Sequence, residues 1–263
     1  MWYHTLAKQA LGSKPPTYTG SAESLGLFHF HLGVGSLSKT AILIDGGFYK
    51  KRAQYLWGPK DASHRAAELE AYCYAHLGQK DRGVARQLYR IFYYDCAPIG
   101  KKSVYHPLTR KNIELDKSNT YTWSIAFLEE LKHRRKFAIR LGEMAGSVSY
   151  NLKPASTKRL LLGQIALGDL TESDFEFVAQ QKGVDMRIGV DLASMTFKKQ
   201  IDQVVLVSGD SDFVPAAKMA RREGIDFILD PMGATIKDDL FEHIDGLYSP
   251  WKKGKKAKGD EAP

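Results

Sequence analysis

Two aspartates follow an apolar run in the C-terminal half of the sequence. Asp210 and Asp212 come just after Val204–Val207, four residues typical of a buried strand in a parallel sheet. The next residues, from Val214 to Gly224, predict a helix that ends at a glycine. Ligands of open α/β sheets bind at the carboxyl ends of the strands. The two acids therefore lie where a ligand site is expected.

Two further aspartates occupy junctions of the same kind. Asp45 ends a strand that begins at Thr40, and Gly46-Gly47 after it allow a sharp turn beside the carboxylate. Asp185 opens a helix expected over residues 182–195, which leads into the strand at Val204. Right-handed crossovers bring the carboxyl ends of parallel strands to one edge of the sheet. We expect all four carboxylates to meet there.

Such a cluster indicates a metal site. Close carboxylates raise one another's pKa, and a divalent cation removes that conflict. Oxygen-only ligands suit Mg²⁺ or Mn²⁺, which can activate water for hydrolysis of a phosphodiester bond. An Asp-x-Asp pair alone could simply cap a helix. The ordered set of four acids is more specific, and the net charge of +8 suits an anionic partner such as RNA.

The fold that would position these acids is an α/β fold. Strands alternate with helices, which predicts a three-layer α/β/α sandwich with a mostly parallel central sheet. Further strands are expected at residues 88–95, 137–141 and 226–230, and further helices at residues 62–77, 120–136 and 236–243. Residues 98–117 and 142–156 are expected to be loops, and residues 158–166 and 172–181 short helical segments. The predicted apolar face of the helix at 182–195 comprises Met186, Val190, Ala193 and Phe197.

Composition narrows the protein class. The 263 residues, 43% of them hydrophobic, suffice for one large domain, expected at residues 39–249. Residues 1–38 are expected to form a flexible arm, and residues 250–263 a lysine-rich disordered tail. The two cysteines form no CxxC pair, and no signal peptide or membrane span is recognisable, which favours a cytoplasmic protein. A homo-oligomer is compatible with this composition.

Basic residues near the acids are candidate phosphate contacts. Lys101, Lys102, Arg110 and Lys111 lie in the polar segment at 98–117, and Lys182 shortly precedes Asp185. The basic run at 132–136 has two interpretations, as charges at a helix C-terminus or as a phosphate-contacting patch.

Three segments carry a resemblance to a known family. Ile44-Asp45-Gly46, the run from Lys182 to Asp185 and the run from Ser208 to Phe213 resemble the NYN domain family, in its LabA-like branch within the PIN-like nucleases. The resemblance extends from about residue 40 to about residue 247. It implies an α/β/α sandwich that cleaves RNA with Mg²⁺ or Mn²⁺ in an acidic pocket. The residues that match the family's acidic positions are Asp45, Asp185, Asp210 and Asp212, and Ser208 matches the hydroxyl position beside the last pair.

The sequence departs from the family pattern at one position. Many members carry an asparagine two residues beyond the first Asp-Gly, whereas Gly46 is followed here by Gly47-Phe48. The loss of that amide puts the efficiency of cleavage in question more than metal binding.

Two alternatives to a nuclease remain open at this point. One is a non-catalytic module of the same fold that binds RNA or a protein. The other is a haloacid-dehalogenase-type phosphotransferase, which usually needs a second acid that the segment after Asp45 lacks. Asp95, Asp191 and Asp230 are secondary candidates, because acids that end strands or lie in helices are common.

Overall fold

The computed structural model describes residues 37–78, 84–100 and 102–251, without the side chains of residues 144–147 and 180–181. Nearly all of the expected arm at 1–38, most of the expected tail at 250–263, and Lys101 lie outside the described residues. Within the described part, no helix is both long and apolar enough to cross a membrane.

A seven-stranded sheet forms the centre of the described structure. Its strands are β1 (Leu37–Asp45), β2 (Ala85–Cys96), β5 (Phe137–Leu152), β6 (Phe175–Lys182), β7 (Gln203–Val207), β8 (Asp226–Asp230) and β9 (Gly246–Leu247). Their order is β6-β5-β2-β1-β7-β8-β9. Six strands are parallel, and β6 runs antiparallel to β5. The fold is therefore α/β with a mostly parallel sheet, as the sequence predicts.

Helices flank this sheet. They are α1 (Gly46–Trp57), α2 (Ala62–Leu77), α3 (Asn119–Lys132), α4 (Pro154–Leu161), α5 (Val184–Phe197), α6 (Val214–Arg222) and α7 (Asp238–Phe241). Helix α2 has the predicted bounds, and β8 likewise. Helix α1 was not predicted, and its start at Gly46 places Asp45 at the turn between strand and helix.

The sheet has a hydrophobic core on each face. Ile42 and Ile44 of β1 point towards α1, α2 and α3, whereas Ala41 and Leu43 point towards α5 and α6. All four residues are fully buried, and each buried Leu or Ile contributes about 1.5–3 kcal/mol. Both faces of β1 are thus fixed, so the position of Asp45 at its end is fixed too.

The predictions for residues 142–156 and 172–181 are wrong. Strand β5 continues to Leu152, and residues 175–182 form β6, which pairs with β5 from Leu152↔Phe175 to Glu143↔Lys182. The capping pattern at Thr171 is present, but it opens only the 3-10 turn Glu172–Asp174. Pairing with a neighbouring strand outweighs the helix preference of the Ala- and Gln-containing segment.

The segment at 98–117 is also more ordered than expected. It contains a hairpin of β3 (Ser103–His106) and β4 (Lys111–Glu114), followed by the 3-10 turn Leu115–Lys117. The basic residues predicted to lie in a loop therefore lie on or beside a hairpin.

The predicted apolar face of α5 is wrong as well. Met186, Val190 and Phe197 are exposed, with relative exposures of 71%, 58% and 62%, and Ala193 is only half-buried. The helix instead buries Val184, Ile188, Leu192 and Met195 against the sheet. Two apolar stripes run along this helix, and the sequence pattern does not distinguish between them.

Candidate metal centre

Asp45 lies at the end of β1 and caps helix α1. The Phe48 N–H donates to its Oδ1 over 3.0 Å. A Cβ at Gly46 would lie 2.6 Å from the carbonyl oxygen of Tyr94 and 2.6 Å from the ring of Tyr93, so this turn accepts only glycine. The glycine lets β1 turn into α1 directly, and Asp45 is left at the sheet edge.

Ser208 links Asp45 to the acids after β7. Its side chain is fully buried, and its Oγ–H donates to Asp45 Oδ2 over 3.4 Å. The same oxygen accepts from the Asp210 N–H at 3.3 Å. A single hydroxyl therefore joins the ends of two adjacent strands, β1 and β7.

Asp210 and Asp212 are both exposed at this edge. Asp210 Oδ1 accepts from the Asp212 N–H at 3.0 Å and caps the 3-10 turn Ser211–Phe213. The capping role that a lone Asp-x-Asp could serve is thus present. This cap involves one oxygen of Asp210 and does not involve the carboxylate of Asp212.

Asp185 completes the cluster from the other side. It is the second residue of α5, after Gly183, whose positive φ of 79° redirects the chain at the end of β6. Burial raises the pKa of Asp185, and the charges of Asp210 and Asp212 raise it further. Asp185 thus interacts electrostatically with both acids that follow β7.

Asp45 interacts electrostatically with Asp185. Burial is the largest cause that raises its pKa, and the charges of Asp185 and Asp95 act in the same direction. The N–H groups of Phe48 and Gly47 oppose the rise. Charge interactions and the Ser208 hydrogen bonds thus link the four acids, which we call the acidic cluster: Asp45, Asp185, Asp210 and Asp212. That they bind a metal together stays a prediction.

The donor set of the acidic cluster fits a hard divalent cation. Its ligand atoms are all oxygens, and among the described residues no salt bridge reaches any of the four carboxylates. In the described ranges, no group of three or more His, Cys, Asp or Glu side chains is placed so that it could hold a metal ion. Mg²⁺ keeps several waters and needs only one or two carboxylates, so an open cluster of this kind suits it.

Asp95 is a neighbour of the cluster that the sequence analysis left as a secondary candidate. It is nearly fully buried at the end of β2, one residue beyond Tyr94, which pairs in register with Asp45. Lys50 forms an ion pair with Asp95 over 2.7 Å, and the Tyr93 hydroxyl donates to it over 2.9 Å. Its position beside Asp45 follows only from the strand order.

The other two secondary candidates have structural roles. Asp191 accepts from Arg140 Nε and from the Tyr94 hydroxyl, each at 3.0 Å. Asp230 is fully buried and accepts hydrogen bonds from Tyr72 and Ser249, among other donors. Neither is among the residues coupled to the acidic cluster.

The basic candidates occupy two places. Lys102, Arg110 and Lys111 lie at the β3–β4 hairpin, and Lys182 ends β6 in register with Glu143. Whether they contact a phosphate stays a prediction.

The basic run at 132–136 is used within the fold. Lys132 pairs with Glu129 at 2.8 Å, Arg134 pairs with Glu70, and Lys136 donates to the carbonyl of Leu88. These three basic residues thus have partners within the fold, and of the run only Lys132 lies in the last turn of α3.

A protein of unknown function from Vibrio parahaemolyticus RIMD 2210633 has a similar solved structure, with 15% identity and a TM-score of 0.39. The match covers 80% of this chain and 91% of that one. No curated protein matches the chain.

A family model gives the most specific similarity. The model of the NYN domain matches residues 130–240, a segment that contains Asp185, Asp210 and Asp212 but not Asp45. Residues 130–240 are thus similar to the NYN domain, which belongs to the PIN-like nucleases.

Proposed function

We propose that this protein is a metal-dependent endoribonuclease. The observation that carries the proposal is the hydrogen-bonded series of Asp45, Ser208 and Asp210 at the carboxyl edge of the sheet, with Asp185 coupled by charge to Asp45, Asp210 and Asp212. Acids with perturbed pKa values that cluster in this way mark functional sites more often than structural ones. The NYN similarity over residues 130–240 supports the same function.

The residues of the acidic cluster would have different roles in the proposed reaction. Asp45 is the most buried of the four, and the Phe48 N–H and the Ser208 hydroxyl orient its two oxygens. Asp185, Asp210 and Asp212 are exposed and would face the substrate side. A divalent cation held by these carboxylates supplies an activated water and neutralises charge on the phosphodiester.

The substrate in this proposal is RNA. The formal net charge of +8 favours a polyanion, and the basic residues at the β3–β4 hairpin and at Lys182 are proposed to contact its phosphates. Lys101, outside the described residues, belongs to the same proposal.

Cleavage of labelled RNA by the purified protein tests this function. Single-stranded and hairpin RNAs, and a DNA of the same sequence, are incubated with Mn²⁺, with Mg²⁺ and with EDTA. We expect cutting only with metal, and a loss of at least about 100-fold in Asp210→Asn, since a ligand charge is removed. Asp202→Asn is the matched control, because Asp202 accepts from the Lys39 N–H at the opposite edge of the sheet.

The outcomes separate the alternatives. Undiminished cleavage by Asp210→Asn, with an unchanged melting temperature, would show that the site assignment is wrong. RNA that binds but stays intact with every metal would favour a binding module, and the missing amide at Gly47-Phe48 would be the first cause to test.

A further inference from the structure

A cavity of about 300 Å³ lies beside the acidic cluster, at the carboxyl end of β2. Helix α3 forms one wall, and Tyr150 of β5 and Phe177 of β6 form another. Ile113 of the β3–β4 hairpin and Leu115 close a third side. The hairpin and the long β5–β6 extension, both missed by the sequence analysis, therefore build this cavity.

Five aromatic side chains contribute to the lining. Tyr121 and Trp123 come from α3, and Tyr150 and Phe177 lie with ring centroids 5.5 Å apart. Trp123 stacks on Phe127, with centroids 4.9 Å apart and planes 12° apart. Aromatic faces of this kind bind flat, unsaturated rings by stacking.

Polar groups in the lining are few and specific. Thr120 and Ser124 bring hydroxyl groups to the cavity, whereas the hydroxyl of Ser118 is used to cap α3 through the Tyr121 N–H. A mainly apolar pocket with a small number of hydroxyls orients a ligand by its polar edge.

The cavity is linked to the acidic cluster through Asp95, and none of the four acids of the cluster lines it. Lys50 and Asp95 line the cavity and are paired at 2.7 Å, and Asp95 follows the residue that pairs with Asp45 across β1 and β2. The side chain of Lys50 remains 30% exposed. A ligand in the cavity would thus place an attached anionic group near Lys50 and near the acidic cluster.

We propose that this cavity is a base pocket that binds one unstacked base of single-stranded RNA while the sugar–phosphate backbone continues towards the acidic cluster. This inference rests on the proposed function, and it adds that the RNA substrate is single-stranded. Proteins that recognise single-stranded RNA hold splayed bases between aromatic side chains and hydrogen-bond their edges. The pocket would therefore exclude duplex RNA, whose bases are stacked and paired, and would fix which phosphate meets the carboxylates.

Binding in EDTA tests the base pocket without cleavage. The probe is a fluorescein-labelled single-stranded RNA of about ten nucleotides, a length within the usual site size. A series carries one abasic position at each nucleotide in turn, and fluorescence anisotropy gives the dissociation constants. We expect one abasic position to weaken binding by about tenfold, because stacking of that base is lost.

Ser124→Phe is designed to fill the base pocket. It should weaken binding of the intact RNA by about tenfold and remove the dependence on the abasic position. Ile125→Phe is the matched control, since Ile125 is the next residue of α3 and does not line the cavity. Tyr121→Ala, which removes a stacking surface instead, serves if Ser124→Phe has a lowered melting temperature.

The results distinguish the base pocket from the nuclease. Equal binding by Ser124→Phe, Tyr121→Ala and the wild type, or equal binding of all abasic RNAs, would overturn the base pocket even if cleavage with Mn²⁺ is observed. A position-dependent abasic effect that Ser124→Phe removes would support the pocket even if no RNA is cut.

Discussion

Asp230 and the acidic cluster lie at the same edge of the sheet, but their carboxylates have opposite surroundings. Asp230, at the end of β8, is fully buried and receives four hydrogen bonds. Its donors are the Tyr72 hydroxyl at 2.5 Å, His76 Nε2 at 2.8 Å, the Ser249 hydroxyl at 2.5 Å and the Met232 N–H at 2.8 Å. The acidic cluster, around the ends of β1 and β7, has mutual repulsion instead.

In the proposed function, this difference separates a structural acid, Asp230, from the acids of the site. Every oxygen of Asp230 has protein donors, so the fold itself offsets the cost of burying the carboxylate. Among the described residues no salt bridge neutralises the acidic cluster, and in the proposed function a divalent cation would offset the repulsion between its charges. Both kinds of acid end a strand, so strand position alone does not distinguish them.

Removal of the Asp230 carboxylate should have the largest effect on stability. Asp230→Ala leaves Tyr72, His76 and Ser249 with unpaired polar atoms in a buried site, and we expect a loss of about 3–5 kcal/mol in the free energy of unfolding. Urea unfolding followed by circular dichroism measures it. Asp239→Ala, at an exposed position, is the control and should change stability by less than about 0.5 kcal/mol. A loss of under 1 kcal/mol in Asp230→Ala would contradict the structural role.

Divalent metal should stabilise the acidic cluster by a smaller amount. Mn²⁺ at about 100 times its dissociation constant adds about 2.7 kcal/mol to the wild type, and Asp45→Asn should gain much less. Thermal unfolding with Mn²⁺ and with EDTA measures both. An equal gain in the two proteins would place the metal elsewhere.

The pH dependence of the free energy of unfolding shows whether the charge on Asp45 stabilises or destabilises the folded protein. Folded Asp45 has a pKa above its ordinary value of 3.8, so the folded protein holds this proton more tightly than the unfolded chain. Without metal, the cluster therefore loses stability as pH rises from about 3.8 through the raised pKa, and Asp45→Asn should be the more stable protein at neutral pH. The advantage of the variant should disappear below the ordinary pKa, where both states of the wild type are protonated.

The smallest change is expected at Asp191. Asp191→Asn removes a partly exposed ion pair with Arg140, whose side chain is 43% exposed, and should cost under about 1 kcal/mol. RNA cleavage should stay at the wild-type rate. A large loss of cleavage in Asp191→Asn would contradict this prediction and would show that Asp191 takes part in the reaction.

The sequence predicts the centre of the molecule well. Strands β1, β7 and β8 consist of apolar runs that are buried on both faces, and each is followed by a turn with glycine or aspartate. Because those strands are parallel neighbours, the convergence of Asp45 with Asp210 and Asp212 follows from their order alone.

The periphery is predicted poorly because its structure depends on partners distant in sequence. The segment at 175–182 becomes a strand by pairing with β5, and its own composition does not favour that outcome. Asp95 and Asp230 both end strands, and only the folded structure shows that the first adjoins Asp45 and that the second is enclosed by Tyr72 and His76.

The enclosure of Asp230 has a consequence for the order in which the chain folds during synthesis. Ser249 donates to Asp230, and Trp251 packs on Tyr72 and Trp57 with ring centroids 5.2 and 5.4 Å apart. These residues leave the ribosome last among those described, about twenty positions after Asp230. Until they emerge, a nascent chain carries an incompletely paired acid at the end of β8. The closure of this site by Ser249 and Trp251 can therefore follow only after β8 has been synthesised.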